Sequence, residues 1–141
     1  MAGPLEIVRR WQRSLVAQDF AHMGEVVDLA GYTEICLGLT NWTTGYDVAL
    51  KNYVKNMVEP WSDLKMTEQE VVEGRDAVVI HSRIEATHTG RFLGIAPTGR
   101  HVAFDHLTVI HVKDGRVVGQ WAQPDLWGLY QQLTAAVPTS T

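Results

Sequence analysis

The sequence predicts an α+β fold in which helices come first and an antiparallel sheet follows. Three observations carry this reading. Apolar residues recur at helical spacing up to Pro60; period-two alternation replaces that spacing after Pro60; and Lys113-Asp114-Gly115 reads as a hairpin turn between two alternating runs. A long curled sheet closed by helices makes a cone with an apolar interior. Such a fold offers a pocket rather than a flat surface.

The elements follow in order. Pro4 suits a first helical turn, and Leu5, Val8, Trp11, Leu15 and Val16 recur behind it at helical spacing, with Arg9, Arg10 and Arg13 on other faces. A short second helix is expected from about Phe20 to Leu29, ending near Gly31. Tyr32 to Leu39 reads as extended. Val48, Ala49, Tyr53, Val54 and Met57 place a third helix over Tyr46 to Val58, and Pro60 stops it. Leu64, Met66, Val71 and Val72 suggest a strand, Ala77 to Thr87 a second, and His101 to Val112 a third. Val102, Phe104, His106, Thr108, Ile110 and Val112 share one face of that third strand. Arg116 to Trp121 returns after the turn, Pro124 opens a final helix to about Leu133, and the tail beyond Pro138 is expected to be loose.

Composition narrows the function classes. With 141 residues the chain reads as one domain, 1–141. An apolar fraction of 45% with 20% charged residues excludes a disordered, collagen-like or disulfide-stapled chain. The net charge of −4 gives no footprint for a nucleic-acid partner. Cys36 is the only cysteine, so neither an intrachain disulfide nor a thiolate cluster can form, and it reads as a small buried hydrophobe. No stretch approaches the ~18 uninterrupted apolar residues of a membrane span. A soluble, cytoplasmic protein is the expectation.

Six histidines invite a metal reading. Alternation puts His101 and His111 on one strand face and His106 on the other, and separates His81 from His88 in the same way. No ligand spacing emerges, and no metal or other cofactor is expected. The sequence also lacks a P-loop, a dinucleotide fingerprint and a nucleophile elbow. Gly90, Gly94 and Gly99 read as hairpin punctuation.

What remains is a set of isolated polar groups among inward apolar residues. His106 lies beside Phe104 and Thr108 as either a general base held neutral by burial or a satisfied core histidine. Asn52 on the third helix and Gln120 on the last strand could bind a substrate oxygen, or face solvent and core respectively. Trp121 must point the opposite way from Gln120, to packing or an interface. Asp125, after Pro124, reads as a helix cap before it reads as a catalyst.

The row from Thr87 through Gly90-Arg91-Phe92 and Gly94 to Gly99-Arg100 resembles the central hairpin of SnoaL-like polyketide cyclases. The stretch Asp114-Gly115-Arg116-Val117-Val118, Trp121, Pro124-Asp125, Gly128-Leu129-Tyr130 and Gln132-Leu133 resembles that family's last strand and closing helix, and Val8-Arg9-Arg10 fits its opening helix. The resemblance implies the cone-shaped α+β barrel of nuclear-transport-factor-two-like proteins, an apolar cavity and a homodimer. It also implies activity on aromatic polyketides without metal or flavin.

The departures are specific. The family's ring-closing cyclases use an Asp three residues before the Asp of the Pro-Asp pair, where this chain has Ala122. Their pocket His falls at Thr108, two residues from His106 on the same face. Their pocket Tyr falls near Leu15, whereas their pocket Asn is matched by Asn52. Relatives that support hydroxylation need only a base and hydrogen-bond donors around an enol that reacts with dioxygen. The resemblance therefore implies a hydroxylase-like enzyme of anthracycline-type antibiotic biosynthesis, with His106 as base and Asn52 and Gln120 on the enolate oxygens. Trp11, Leu15, His88, Phe104, Asp105, Thr108 and Ala122 would line the substrate site, Asp105 only if a bulge turned it inward. A separate reductase would be a partner for hydroxylation. The alternatives are a cyclase or isomerase with a relocated acid, and a module that binds a hydrophobic ligand.

Overall fold

The computed structural model describes residues 2–136; the tail beyond Pro138 lies outside them. Helix α1 (Pro4–Val16) comes first, followed by a single 3-10 turn (Met23–Glu25). Strands β1 (Thr33–Cys36) and β2 (Thr40–Thr44) lead into helix α2 (Tyr46–Tyr53), which continues as a π turn over Val54–Val58. The long strands β3 (Trp61–Glu73), β4 (Ala77–His88), β5 (His101–Lys113) and β6 (Arg116–Pro124) follow, and α3 (Leu126–Thr134) closes the fold.

The six strands form one open sheet in the order β2-β1-β6-β5-β4-β3. The expected antiparallel pairing holds except at one seam, where β1 runs parallel to β6. Inward residues of β1, β3, β4, β5 and β6 all line one cavity, so the sheet curls around it without closing edge to edge. Asp114 and Gly115 both have positive φ, the conformation that a two-residue hairpin between right-twisted strands needs.

The expected helix over Phe20 to Leu29 is reduced to the 3-10 turn. The cause is tertiary: Val117 N–H donates to Val26 O and Asp28 N–H to Val117 O, which pulls this segment alongside β6. Backbone groups that a helix would use are thereby committed to the sheet. Edge strand β2, Thr40-Asn41-Trp42-Thr43-Thr44, lacks an apolar alternation and is added to the expected elements.

Two apolar cores form. Beneath α1, Val8, Trp11, Val27, Tyr32, Tyr46, Ile110 and Val117 pack together; beneath α3, Trp61, Ile84, Phe92, Phe104, Leu129 and Leu133 do. Each helix is fastened to the sheet by polar contacts. Leu5 N–H donates to Glu73 of β3 at 2.7 Å, and Arg9 makes a two-pronged contact with Glu68 at 2.6 and 2.8 Å. Asp125 caps α3 by accepting from Gly128 N–H at 3.0 Å, the role its position implied. Gln132 then pairs with both backbone groups of Ala103 on β5.

The outer face of β5 and β6 carries Leu107, Val109 and Trp121, the last two opposite one another in register. Among the described residues no helix is long and apolar enough to cross a membrane.

The β1–β6 seam is tight. A Cβ added at Gly119 would lie 2.5 Å from the carbonyl oxygen of Thr33, its register partner. Gly119→Ala should therefore push β1 off β6 and cost about 1–3 kcal/mol by overpacking. Urea unfolding of the variant measures this, and unchanged stability would show that the seam relaxes freely.

Candidate functional site

Between the two cores lies a cavity of about 380 Å³. Its wall is mostly apolar, with Trp11, Leu15, Ala49, Trp61, Phe104 and Leu129 among its lining. Val16, Tyr53 and Met66 line it while being well exposed, which marks the open end. This is the size and character of a site for a small, largely hydrophobic ligand.

Curvature brings several polar side chains to the wall. The β5–β6 ladder pairs His106 with Pro124, Thr108 with Ala122 and Ile110 with Gln120, and all six line the cavity. A bulge between His111 and Val112 lets Val117 and Gln120 both face inward although they differ in parity. Asn52 reaches the cavity from α2. Trp11, Leu15, Asn52, Phe104, His106, Thr108, Gln120 and Ala122 thus line one cavity.

Two residues expected at the site lie elsewhere. Asp105 points outward because β5 keeps its register there and no bulge turns it in; it lies beside His81 at 3.3 Å and Arg83 at 3.4 Å. His88 faces inward but lies fully buried behind Trp61, at 5.4 Å between ring centroids, and does not line the cavity. Its Nδ1 accepts from Thr98 N–H at 3.2 Å, which fixes the β4–β5 connection.

A carboxyl that sequence reasoning missed does line the cavity. Glu34 on β1 accepts a 2.7 Å hydrogen bond from the buried Tyr32 hydroxyl, and Gln120 Nε2 lies 3.5 Å from the same oxygen. It stands opposite Gln120 in the parallel seam, and its neighbour in the row, Cys36, stands opposite Ala122. Only that pairing, with a strand 86 residues away, discloses it.

The apolar surroundings push the titratable groups of the wall toward their neutral forms. Burial pushes the His106 imidazole down to about 4, and raises the Glu34 carboxyl above the usual range. The Cys36 thiol is pushed up to about 11 by burial and by Glu34, so it stays protonated. Tyr32 and Tyr46 are raised too, chiefly by burial. At the rim the sign reverses: the hydrogen bond from Arg9 holds Glu68 below the usual range. Among the described residues no group of three His, Cys, Asp or Glu is placed to hold a metal ion.

The comparisons with known proteins fit this cavity. The family model for SnoaL-like polyketide cyclases matches residues 6–133. The chain belongs to this family. AcmA of Streptomyces galilaeus, an aklanonic acid methyl ester cyclase, is 30% identical over 71 residues. That stretch spans 50% of this chain and 49% of AcmA. A candidate SnoaL-like polyketide cyclase from Jannaschia sp. CCS1 has a similar structure at a TM-score of 0.79 and 24% identity, covering 94% of this chain and 92% of its own. AclR, a candidate hydroxylase from Streptomyces galilaeus, gives 0.67 at 22% identity, covering 96% and 82% respectively. These likenesses show a shared fold, so the expected cone-like α+β architecture stands, with its sheet open rather than closed.

The neutral imidazole has a measurable consequence. An unfolded histidine takes its proton near pH 6.5, whereas His106 in the native protein does not until about 4. The unfolded state therefore holds more protons between these values, and stability is lost as pH falls through that window. The loss should total about 3 kcal/mol, and His106→Gln should remove it. Urea unfolding at pH 7, 6 and 5 checks this; an equal slope in both proteins would show that native His106 is not held neutral.

Proposed function

We propose that this family member is an enzyme of aromatic polyketide tailoring that deprotonates its substrate inside the cavity. His106 is the base, and Asn52 and Gln120 hydrogen-bond the enolate oxygens. One observation carries the reading: the His106 side chain lines a mostly apolar cavity shared with Asn52 and Gln120, where burial favours the neutral imidazole, the form that can accept a proton. The apolar cavity suits fused aromatic rings.

The enolate has two fates. Ring closure onto a carbonyl of the same molecule is supported by the family's description and by the half-length match to AcmA, a cyclase. Reaction with dioxygen, the hydroxylase-like fate, is favoured by Ala122, which leaves the family's acid position without a proton to give. That fate would call on a separate reductase for the hydroperoxide first formed. A homodimer through the outer sheet face is supported by Leu107, Val109 and Trp121, which lie there together.

Aklanonic acid methyl ester is the first probe. Incubation under air and under argon should give a product of unchanged mass under both if the ring closes; oxygen uptake marks hydroxylation, and unchanged ligand marks a binding module. His106→Ala should lower turnover by about 10²–10⁴ with the fold intact. Normal turnover in a folded variant would remove His106 as the base. Light scattering at micromolar concentration tests the dimer, and a monomer would refute it.

A further inference from the structure

The family's acid position is empty of a carboxyl at Ala122, yet ring closure needs a proton donor. As His106 removes the proton from carbon, the new carbon–carbon bond turns the attacked carbonyl into an alkoxide. Among the described residues that line the cavity, two carboxyls occur, Glu34 and Glu68. Glu68 is held at the rim by the Arg9 guanidinium at 2.6 Å, which keeps it ionised and acceptor-only. Glu34 has no cationic partner among the described residues and is half-buried against the wall.

The geometry points to Glu34 as the general acid of this chain, a carboxyl moved one strand over from Ala122 to β1. In the β1–β6 seam Glu34 stands opposite Gln120 and Cys36 opposite Ala122, so the carboxyl reaches the same stretch of wall from the adjoining strand. The Tyr32 hydroxyl, 2.7 Å away, fixes its direction, and Tyr32 is itself held by the Tyr46 ring in an edge contact at 5.1 Å. Apolar surroundings favour the protonated form, which is the form that can donate.

The placement of the pair also decides how a substrate lies. Glu34 aligns with Gln120 and His106 with Pro124, four residues further along β6. That is roughly 13 Å along the strands, and β1 and β5 also lie two strand spacings, about 10 Å, apart across β6, too far for the two side chains to bond one another directly and far enough to flank a bound ring. The carbonyl to be attacked faces β1, and the carbon that loses its proton faces β5. In the step, a C–H bond and the carbonyl π bond break while a C–C bond and an O–H bond form. His106 gains one proton and Glu34 gives one, and solvent restores both, so the mass does not change.

This assignment rests on His106 forming the enolate, and the test separates the two. The readouts are turnover of aklanonic acid methyl ester and exchange of its acidic C–H in deuterated water, for wild type, His106→Ala and Glu34→Gln. Glu34→Gln keeps the shape and removes the proton. It should lower turnover about 10²–10⁴-fold, leave KM close to wild type and leave exchange intact, because His106 still takes the proton. Its melting temperature should not fall below the wild-type value, since burial favours an uncharged group at this position. His106→Ala should lower turnover and the exchange above the enzyme-free rate together, each about 10²–10⁴-fold. Normal turnover in Glu34→Gln alone overturns the acid. Loss of exchange and turnover in Glu34→Gln together with a lowered melting temperature overturns it too, as that pattern belongs to a structural residue. An inert wild type, or exchange that survives His106→Ala, overturns the enolate reading and the acid with it.

Discussion

The cavity exists because two cores are kept apart. Helix α1 packs on one core and α3 on the other, and Trp11 and Leu15 of α1 and Leu129 of α3 line the space between them. In an ordinary domain the side chains of β5 and β6 would meet a helix there and fill the space. Here they end in His106, Thr108, Gln120 and Ala122, with small or polar tips that leave the cavity open. The open space is held by contacts at its margins. Glu73 and Glu68 of edge strand β3 grip α1, while Asp125 and Gln132 fix α3 against β5.

The same emptiness sets the electrostatics. An apolar wall penalises any charge that is not paired, so each titratable group on it is driven toward its neutral form: imidazole, thiol and phenols alike, and the carboxyl in the same direction. For a histidine this produces an available base, and for a carboxyl an available donor. One environment thus prepares two opposite chemical roles with no bond between the groups. At the rim, where Arg9 supplies a cation, the carboxyl of Glu68 goes the other way. Distance from that cation separates a carboxyl that helps to hold the fold from one free to react.

Legibility in the sequence followed the range of the interactions involved. Strands β4 and β5 alternate cleanly, and β6 does so from Gly119 on, beyond the bulge at His111/Val112, so the inward faces of His106, Gln120 and Ala122 could be read residue by residue. Helix α1 was legible for the same reason. The segment from Phe20 to Leu29 was not, since its apolar spacing suits a helix while its backbone is claimed by Val117, far along the chain. His88 shares the inward parity of a lining residue, but parity does not say whether another ring stands in front of it, and Trp61 does. Asp105 was placed outward by the same parity that put His106 inward.

Glu34 shows where such reading runs out. Its strand has four residues, too few for alternation to declare a face, and its neighbour in space is a strand that pairs with it in parallel. Counting along the chain from the Pro124-Asp125 pair reaches Ala122 and finds no acid. Counting across the seam from Ala122 reaches Cys36, and the acid, Glu34, stands two residues along β1, opposite Gln120. A cavity does not record which strand supplies a proton, only where the proton arrives. Strands that share a wall can therefore exchange that duty while each keeps its own inward pattern. The loss at Ala122 is then evidence about one strand, and a change of reaction follows from it only if the adjoining strand is also without an acid, which here it is not.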